Sequence, residues 1–508
     1  MTLNRGIAAA DTHRVRTRPL PLLVALLAVL AAATAYAVVS FEHSSLSTSK
    51  APAVEAPLGG VPAHHPRVGP GAFTSSSPLL DRIWTASVNT ANDMLVKGGL
   101  TKDAYDRPCR IDAPVVIVDG YVRDRCPYIG DESVADLALD AADPHFAAQR
   151  SMLAWFAAAQ HPNGAIPASP VLGGKLVLFD YNAYWLQTLY EYVLYSGDVA
   201  FARSVWPNVE RLLGWYGRQT IEDGPDRGLL VNRLGASDYA FVHRRGDVVA
   251  YYNAQYALAL HETARLARWL GKPADARRID ARAHAVARAF DAAFWDAQAG
   301  AFQDTTVDPS THPEDGNAFA ILAGLASPSQ ARSALAYLTE HDAGPRGNTF
   351  VDSSTWDHRS WGFDANERIY PFITYDEVLA RFQSGENASA LDLIDREWGY
   401  MVTHGPKTTV WETINAVSGG PEGSRPSWDH GWSAGAAPAL TTYVLGVEPT
   451  SPGFATFTVA PHAAGLTEAA GVVPTPHGTI RVSWVRHGGE LSLRVRAPRG
   501  TRWTNPPA

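Results

Sequence analysis

From Pro78 to Val447 the apolar residues return at intervals of three and four, segment after segment, and seldom alternate in twos. Such spacing lays one apolar stripe along each of a series of helices and leaves strands nearly absent from the stretch. The segments fall at about 78–96, 131–142, 144–160, 181–195, 198–220, 250–271, 273–296, 316–326, 328–341, 365–384, 386–402 and 430–446. Twelve helices make six antiparallel hairpins, and their stripes are buried together if the hairpins close into a double-layered ring. Past Gly446 the period changes. "GFATFTVAP" and "GTIRVSWVRHGGELSLRVRAP" alternate apolar and polar residues between glycine turns, which predicts a small antiparallel β-module. The fold class is therefore mainly α.

The 508 residues suffice for one large domain and a smaller one. A net charge of -8 with no long basic run argues against a nucleic-acid partner, whose phosphates demand a concentrated cationic face. Neutral sugars impose no such demand. At the N-terminus, Arg5, Arg14, Arg16 and Arg18 precede an apolar run from Pro19 to Val39, long enough to cross a bilayer core. It reads as a retained membrane anchor; the alternative is a cleaved signal peptide, with small-residue patterns at Ala33-Thr34-Ala35 and Ala35-Tyr36-Ala37. Either way the remainder is expected to be extracytoplasmic, anchored through that segment or secreted. The Ser-, Pro-, Gly- and Ala-rich stretch that follows suits a linker. The expected organisation is thus 1–40 cytoplasmic N-terminus and anchor or signal, 41–77 linker, 78–446 catalytic domain and 447–508 β-module. Cys109 and Cys126 are the only cysteines, and either a disulfide or two buried thiols fits them. With no CxxC and no HExxH, neither a metal nor another cofactor is expected.

Two long links interrupt the helices, Lys97 to Ile129 and Thr403 to Asp429, and long irregular links in a compact domain tend to carry function. The first contains "VDGYVRDRCPYIGDES", which crowds Asp119, Asp124, Asp131 and Glu132 around Arg123 and Arg125. The second contains "KTTVWETINAVSGGPEGSRPSWDHGW". Hydrolysis of a glycosidic bond needs one carboxyl to protonate the leaving oxygen and a second to activate water or attack carbon. Asp124 and Glu412 are the best pair, one from each link. Neighbouring acids would raise the pKa of Asp124 and so keep it protonated; a solvated salt-bridge network is the competing reading of the cluster. Trp411 beside Glu412 suits an apolar platform for a sugar ring, while the competing role for Glu412 is to cap a helix. His430 can donate to a sugar hydroxyl or serve the start of a helix. Asp238, in "GASDYA", and Trp356, in "STWDHRSWGF", are further candidates for a pocket wall, ahead of Asp180, Tyr181 and Trp185 in "FDYNAYW".

"DGYVRDRCPYIGD", followed at a distance by "TTVWE" and then by "SWDHGWSAGAAPALTTYVLGVEPTSPGF", resembles the α-L-rhamnosidase family of glycoside hydrolases, the six-hairpin glycosidases. The resemblance runs from about Phe73 onward. It implies an (α/α)6 toroid with a small C-terminal antiparallel β-module, a carbohydrate substrate and an inverting mechanism that releases terminal α-L-rhamnose or a similar sugar. It also implies Asp124 as general acid and Glu412 as general base, with Asp119, Arg123 and Asp131 at positions that contact sugar hydroxyls and Trp411 and His430 in the pocket. Many members carry Glu where Asp124 stands, and most carry large β-sandwich modules ahead of the toroid. A catalytically silent carbohydrate-binding or cell-envelope scaffold on the same toroid is the alternative from a different class. Sugar phosphorolysis or elimination on this helical fold is a third.

Overall fold

A computed structural model describes residues 69–102, 108–122, 124–171, 175–240, 248–307, 310–352, 367–421 and 426–505. The expected anchor, most of the expected linker, Arg123 and Trp356 lie outside the described residues. Within them no helix is long and apolar enough to cross a membrane.

Among the described residues twelve α-helices follow one another: α1 (Pro78–Asp93), α2 (Ile129–Ala142), α3 (Phe146–Ala158), α4 (Tyr181–Ser196), α5 (Val199–Gly217), α6 (Ala250–Trp269), α7 (Pro273–Phe294), α8 (Glu314–Leu322), α9 (Pro328–His341), α10 (Pro371–Gln383), α11 (Asn387–Thr403) and α12 (Ala436–Ala439). α12 runs on into a π-helical turn, Leu440–Val444. Local chemistry sets many of the starts. Ser77 accepts from the Leu80 amide ahead of Pro78, Asp198 accepts from Phe201, and Ser327 and Gln330 form a reciprocal capping box before α9. Gly197 ends α4 in the left-handed conformation, φ 78°, that a Cβ disfavours.

The even-numbered helices pack consecutively, α2 on α4, α4 on α6, α6 on α8, α8 on α10 and α10 on α12, and α12 returns to α2. The ring therefore closes. The odd-numbered helices form its outer layer, with α11 against α1. Inner helices bury nearly every face: α4 hides Trp185, Leu189 and Val193 as well as Tyr181, Tyr184 and Tyr192. An inner helix meets neighbours on both sides and its own outer partner, so an all-round apolar sequence suits it.

The long link expected to be irregular before α2 contains a hairpin, β2 (Leu95–Lys102) with β3 (Pro108–Ile117). A disulfide joins Cys109 in β3 to Cys126, with Cα atoms 5.7 Å apart, and so ties the hairpin to the loop that leads into α2. Among the described residues three strand pairs of two residues each lie at the ends of helices, one of them Arg368–Ile369 with Ile414–Asn415. The C-terminal chain forms two sheets: Thr456–Val459 lies between Val447–Pro449 and Arg502–Thr504, while Glu468–Thr475, Gly478–His487 and Glu490–Arg496 make an antiparallel meander. Ala72–Ser75, in the stretch expected to be linker, adds a fourth strand to the meander, with Phe73 opposite Gly471. Trp484 binds the module to the toroid by donating Nε1 to the Val444 carbonyl at 2.8 Å.

Candidate active site

Inner helices begin at one end of the ring, and the two long links converge there. Three chain segments are laced together. The Gly431 amide donates to Asp119 at 2.8 Å and Tyr121 donates to Asp429 at 3.1 Å, an antiparallel bridge centred on Gly120 and His430. On the other side His430 donates its amide to Val410 at 3.1 Å, and Glu412 donates to Ser427 at 3.0 Å. The Gly120 amide donates to Asp124 at 3.3 Å, so the loop carrying the proposed acid folds back onto the same lattice. Thr90 in α1 accepts from the Val410 amide at 2.9 Å, and Asn89 donates to the Thr408 carbonyl at 3.1 Å, which fixes the second link to the outer layer. Residues nearly 300 positions apart in sequence thereby meet on one rim.

At the centre lie three buried side chains. His430 Nε2 is 2.5 Å from Asp119 Oδ1 and 3.5 Å from Asp131 Oδ1. Its Nδ1 is 3.0 Å from Ser427 Oγ, which donates in turn to the Asp429 carbonyl. Asp131 Oδ2 accepts from Tyr181 OH at 2.8 Å. Burial pulls the imidazole pKa down, but the Asp119 and Asp131 carboxyls overcome this and hold it at about 9, so His430 is an imidazolium at neutral pH. Burial, reinforced by the charge on Asp131, pushes Asp119 well up. Burial also acts to raise Asp131, yet hydrogen bonds from Asp119, His430 and Tyr181 outweigh it and hold that carboxyl low. The three groups titrate as one coupled unit, with Asp131 the carboxyl held low and Asp119 the one pushed up. One atom from each of the three lies within 4.8 Å of the others, a spacing suited to a metal ion. A metal held there would have to displace the proton of the imidazolium.

Gly130 makes the Tyr181 contact possible. A Cβ there would sit 2.7 Å from the Tyr181 ring, which crosses the first turn of α2 to reach Asp131. This accounts for the glycine of "YIGD".

Asp124 and Glu412 differ from the central trio in being only partly buried. Asp124 holds φ 55°, the left-handed region, where Asp and Asn are the best-tolerated residues after glycine. Arg125 donates to the Tyr121 carbonyl at 2.6 Å and lies over the Tyr121 ring. Glu412 is held from its main chain: its amide binds Ser427, and its carbonyl accepts from Trp432 Nε1 at 2.7 Å. Trp432 stacks on Phe372, ring centres 5.1 Å apart, and packs on His430.

The remaining expected residues lie behind the rim. Trp411 is buried edge-to-face against Trp428 at 4.7 Å and beside Tyr400, so it braces the Glu412 segment. Asp238 is fully buried, accepting from Tyr252 OH at 2.9 Å and from the Ala240 amide. Asp180 caps α4 and accepts from the Tyr239 amide and Tyr251 OH. Trp432, a position the sequence reading passes over, anchors Glu412; its signal was the second tryptophan of "SWDHGW". Ser427, at the head of the same motif, orients His430.

A ring of six helical hairpins with buried acids and a histidine at one mouth defines the six-hairpin glycosidase class of fold. Two family models match in the order the fold requires: the bacterial α-L-rhamnosidase six-hairpin glycosidase domain over residues 111–346 and the bacterial α-L-rhamnosidase C-terminal domain over 446–504. Together they span more than half of the chain, which belongs to the bacterial α-L-rhamnosidase family. An α-L-rhamnosidase of Alteromonas sp. (strain LOR) is 26% identical over 254 residues, 48% of this chain and 25% of that protein. The chain thus spans about a quarter of that relative's length. A GH78 family rhamnosidase of Bacillus sp. GL1 superposes with a TM-score of 0.68 at 24% identity, over 87% of this chain and 44% of that one. The α-L-rhamnosidase of Streptomyces avermitilis, solved with L-rhamnose, gives 0.61 at 18%, over 86% and 38%. At these identities the structures speak for the fold alone.

Proposed function

We propose that the chain is an inverting glycoside hydrolase that releases terminal α-L-rhamnose, or a closely similar neutral or deoxy sugar, from glycans or glycosides. The observation that carries this reading is the division of labour at the rim. A buried, fully engaged Asp119–Asp131–His430 cluster suits the binding of sugar hydroxyls, while two partly exposed carboxyls, Asp124 and Glu412, hang from adjoining segments of the same lattice. Asp124 serves as general acid to the leaving oxygen, and Glu412 as general base to the attacking water. Inversion requires room for that water between them, about 6.5–9.5 Å of carboxyl separation. The Asp119 and Asp131 carboxyls take the sugar hydroxyls, and His430 stands behind them in the pocket, its ring nitrogens facing Ser427 and the two carboxyls. Trp411 and Asp238 support the wall from behind, and Arg123 and Trp356, which lie outside the described residues, keep the sugar-contact and pocket-wall roles expected from the sequence.

The test is hydrolysis of a panel of chromogenic glycosides by the wild-type chain, Asp124→Asn and Glu412→Gln. Release from the α-L-rhamnoside, reduced about 100- to 10,000-fold in each variant with sugar binding retained, is the expected result. A folded wild-type chain that binds L-rhamnose yet hydrolyses nothing would instead favour a carbohydrate-binding scaffold. The family membership and the N-terminal apolar run support an extracytoplasmic site of action, membrane-anchored or secreted.

A further inference from the structure

Asp124 sits in the loop between the bridge at Gly120 and the start of α2, and its φ of 55° is one that such a residue keeps only where its surroundings over-determine it. The loop must therefore be held. One hold is made by the backbone: Asp119 donates its amide to the Cys126 carbonyl at 3.2 Å, and Gly120 donates to that of Asp124 at 3.3 Å. The other is covalent.

Cys126, two residues beyond Asp124, is bonded to Cys109 in β3. That strand packs along the outer helix α3, and at the base of its hairpin the Val118 amide donates to the Met94 carbonyl at 2.9 Å, just past the end of α1. Firm contacts thus run from α1 and α3, through β3 and the disulfide, to the residue that bears the acid. Both cysteines are buried, so the link is made within packed protein. A catalytic group displaced by about 1 Å can lose about 100-fold in rate, and a tie two residues away is close enough to control such a displacement.

We propose that Cys109 and Cys126 are positioning residues for the general acid: their disulfide braces the Asp124 turn against the outer layer, so that proton delivery to the leaving oxygen depends on it while sugar binding and activation of water do not. The inference rests on the reading of Asp124 as general acid. Neither sulfur touches the substrate or carries a proton. Without the bond Asp124 is free to relax towards negative φ, which swings its carboxyl. This has a chemical signature, because a leaving group that is already a weak base departs without an acid, whereas a more basic one needs the proton. A misplaced acid slows only the second kind of substrate. General loosening of the fold slows both alike.

The test is kcat and KM of full-length Cys109→Ser, Cys126→Ser and the double variant on phenyl and dinitrophenyl α-L-rhamnosides. Each should lower kcat on the phenyl glycoside about 10- to 100-fold and on the dinitrophenyl glycoside about 3-fold or less, with KM within about 2-fold of wild type. The double variant should lose no more than either single one, since the same bond is removed. Should the serine variants fail to fold, wild type treated with dithiothreitol takes their place: the reagent gives two hydrogens to the cysteines, closes as its own cyclic disulfide, and the phenyl-selective loss should reverse on reoxidation with oxidised glutathione. Asp124→Asn provides the reference and should show the same selectivity more strongly. Equal losses on the two glycosides, or no loss, in the cysteine variants beside a selective Asp124→Asn would overturn the proposal alone. Loss without selectivity in Asp124→Asn, or a wild type that hydrolyses neither glycoside, would overturn the hydrolytic reading and the proposal with it.

Discussion

Asp124 is the residue on which chemistry and backbone meet. Its φ of 55° costs an ordinary L-residue about 1–2 kcal/mol, and Asp and Asn relieve part of this through local hydrogen bonds. Asn is therefore a clean replacement: it keeps the turn and removes only the acid. Asp124→Asn should leave the melting temperature within a degree or two of wild type, whereas Asp124→Val should lower it, because a β-branched residue resists this conformation; calorimetry of the two decides. His430 gives a pH signature. Its folded pKa of about 9 lies above the ordinary 6.5, so the stability its pairing supplies is complete below about 6.5 and is lost as pH climbs through about 9. Melting temperatures measured from pH 6 to 10 should fall at the alkaline end, and His430→Gln should flatten that limb. Asp119, Asp124 and Asp131 are legible in the sequence because they sit in one short motif. Tyr181 and Trp432 are harder to read, since their importance rests on contacts with residues 50 and 20 positions away.

Helix α2 is the element with most at stake. Glu132, Asp136 and Asp140 recur every fourth residue along it, all buried, and burial raises each of them well above its ordinary value. For Glu132 the neighbouring Asp136, Asp131 and Asp119 add to the effect. Their protonated forms fit the fold, so this stabilisation is complete at low pH and fades as pH rises through the raised values. Glu132→Gln, which cannot ionise, should match wild type in acid and exceed its melting temperature increasingly above neutrality. A widening deficit instead would mean that the charged form is the one the fold accommodates. Gly130→Ala should displace the Tyr181 ring and cost about 1–3 kcal/mol by overpacking, with hydrolysis reduced alongside. The helix spans are legible because a 3.6-residue period persists for many turns. The β2–β3 hairpin is hard to read from sequence: Gly98 and Gly99 break its alternation, and the register shifts between Lys97 and Gly99. The disulfide that fastens it closes 17 residues, a constraint worth about 3 kcal/mol. Reduction should therefore lower the unfolding midpoint, and denaturation with and without reductant measures the drop.

At the scale of the molecule, closure of the ring is what brings the links that carry Asp124 and Glu412 onto one rim, because α12, next to the second link, must return to α2, next to the first. Twelve periodic segments announce hairpins, but closure itself is a long-range property to which periodicity contributes nothing; the family resemblance supplied it. The C-terminal sheets also belong to this scale. They take Ala72–Ser75 as an edge strand and lock to the last inner turn through Trp484 and Val444, so removal of 447–508 should destabilise the toroid rather than release it intact. The central claim is a single displacement at carbon, with Asp124 protonating the leaving group and Glu412 activating water. Proton NMR of the first sugar released from an α-L-rhamnoside reads this directly. β-L-Rhamnose appearing first and then mutarotating is the expected result; α-L-rhamnose appearing first would contradict it.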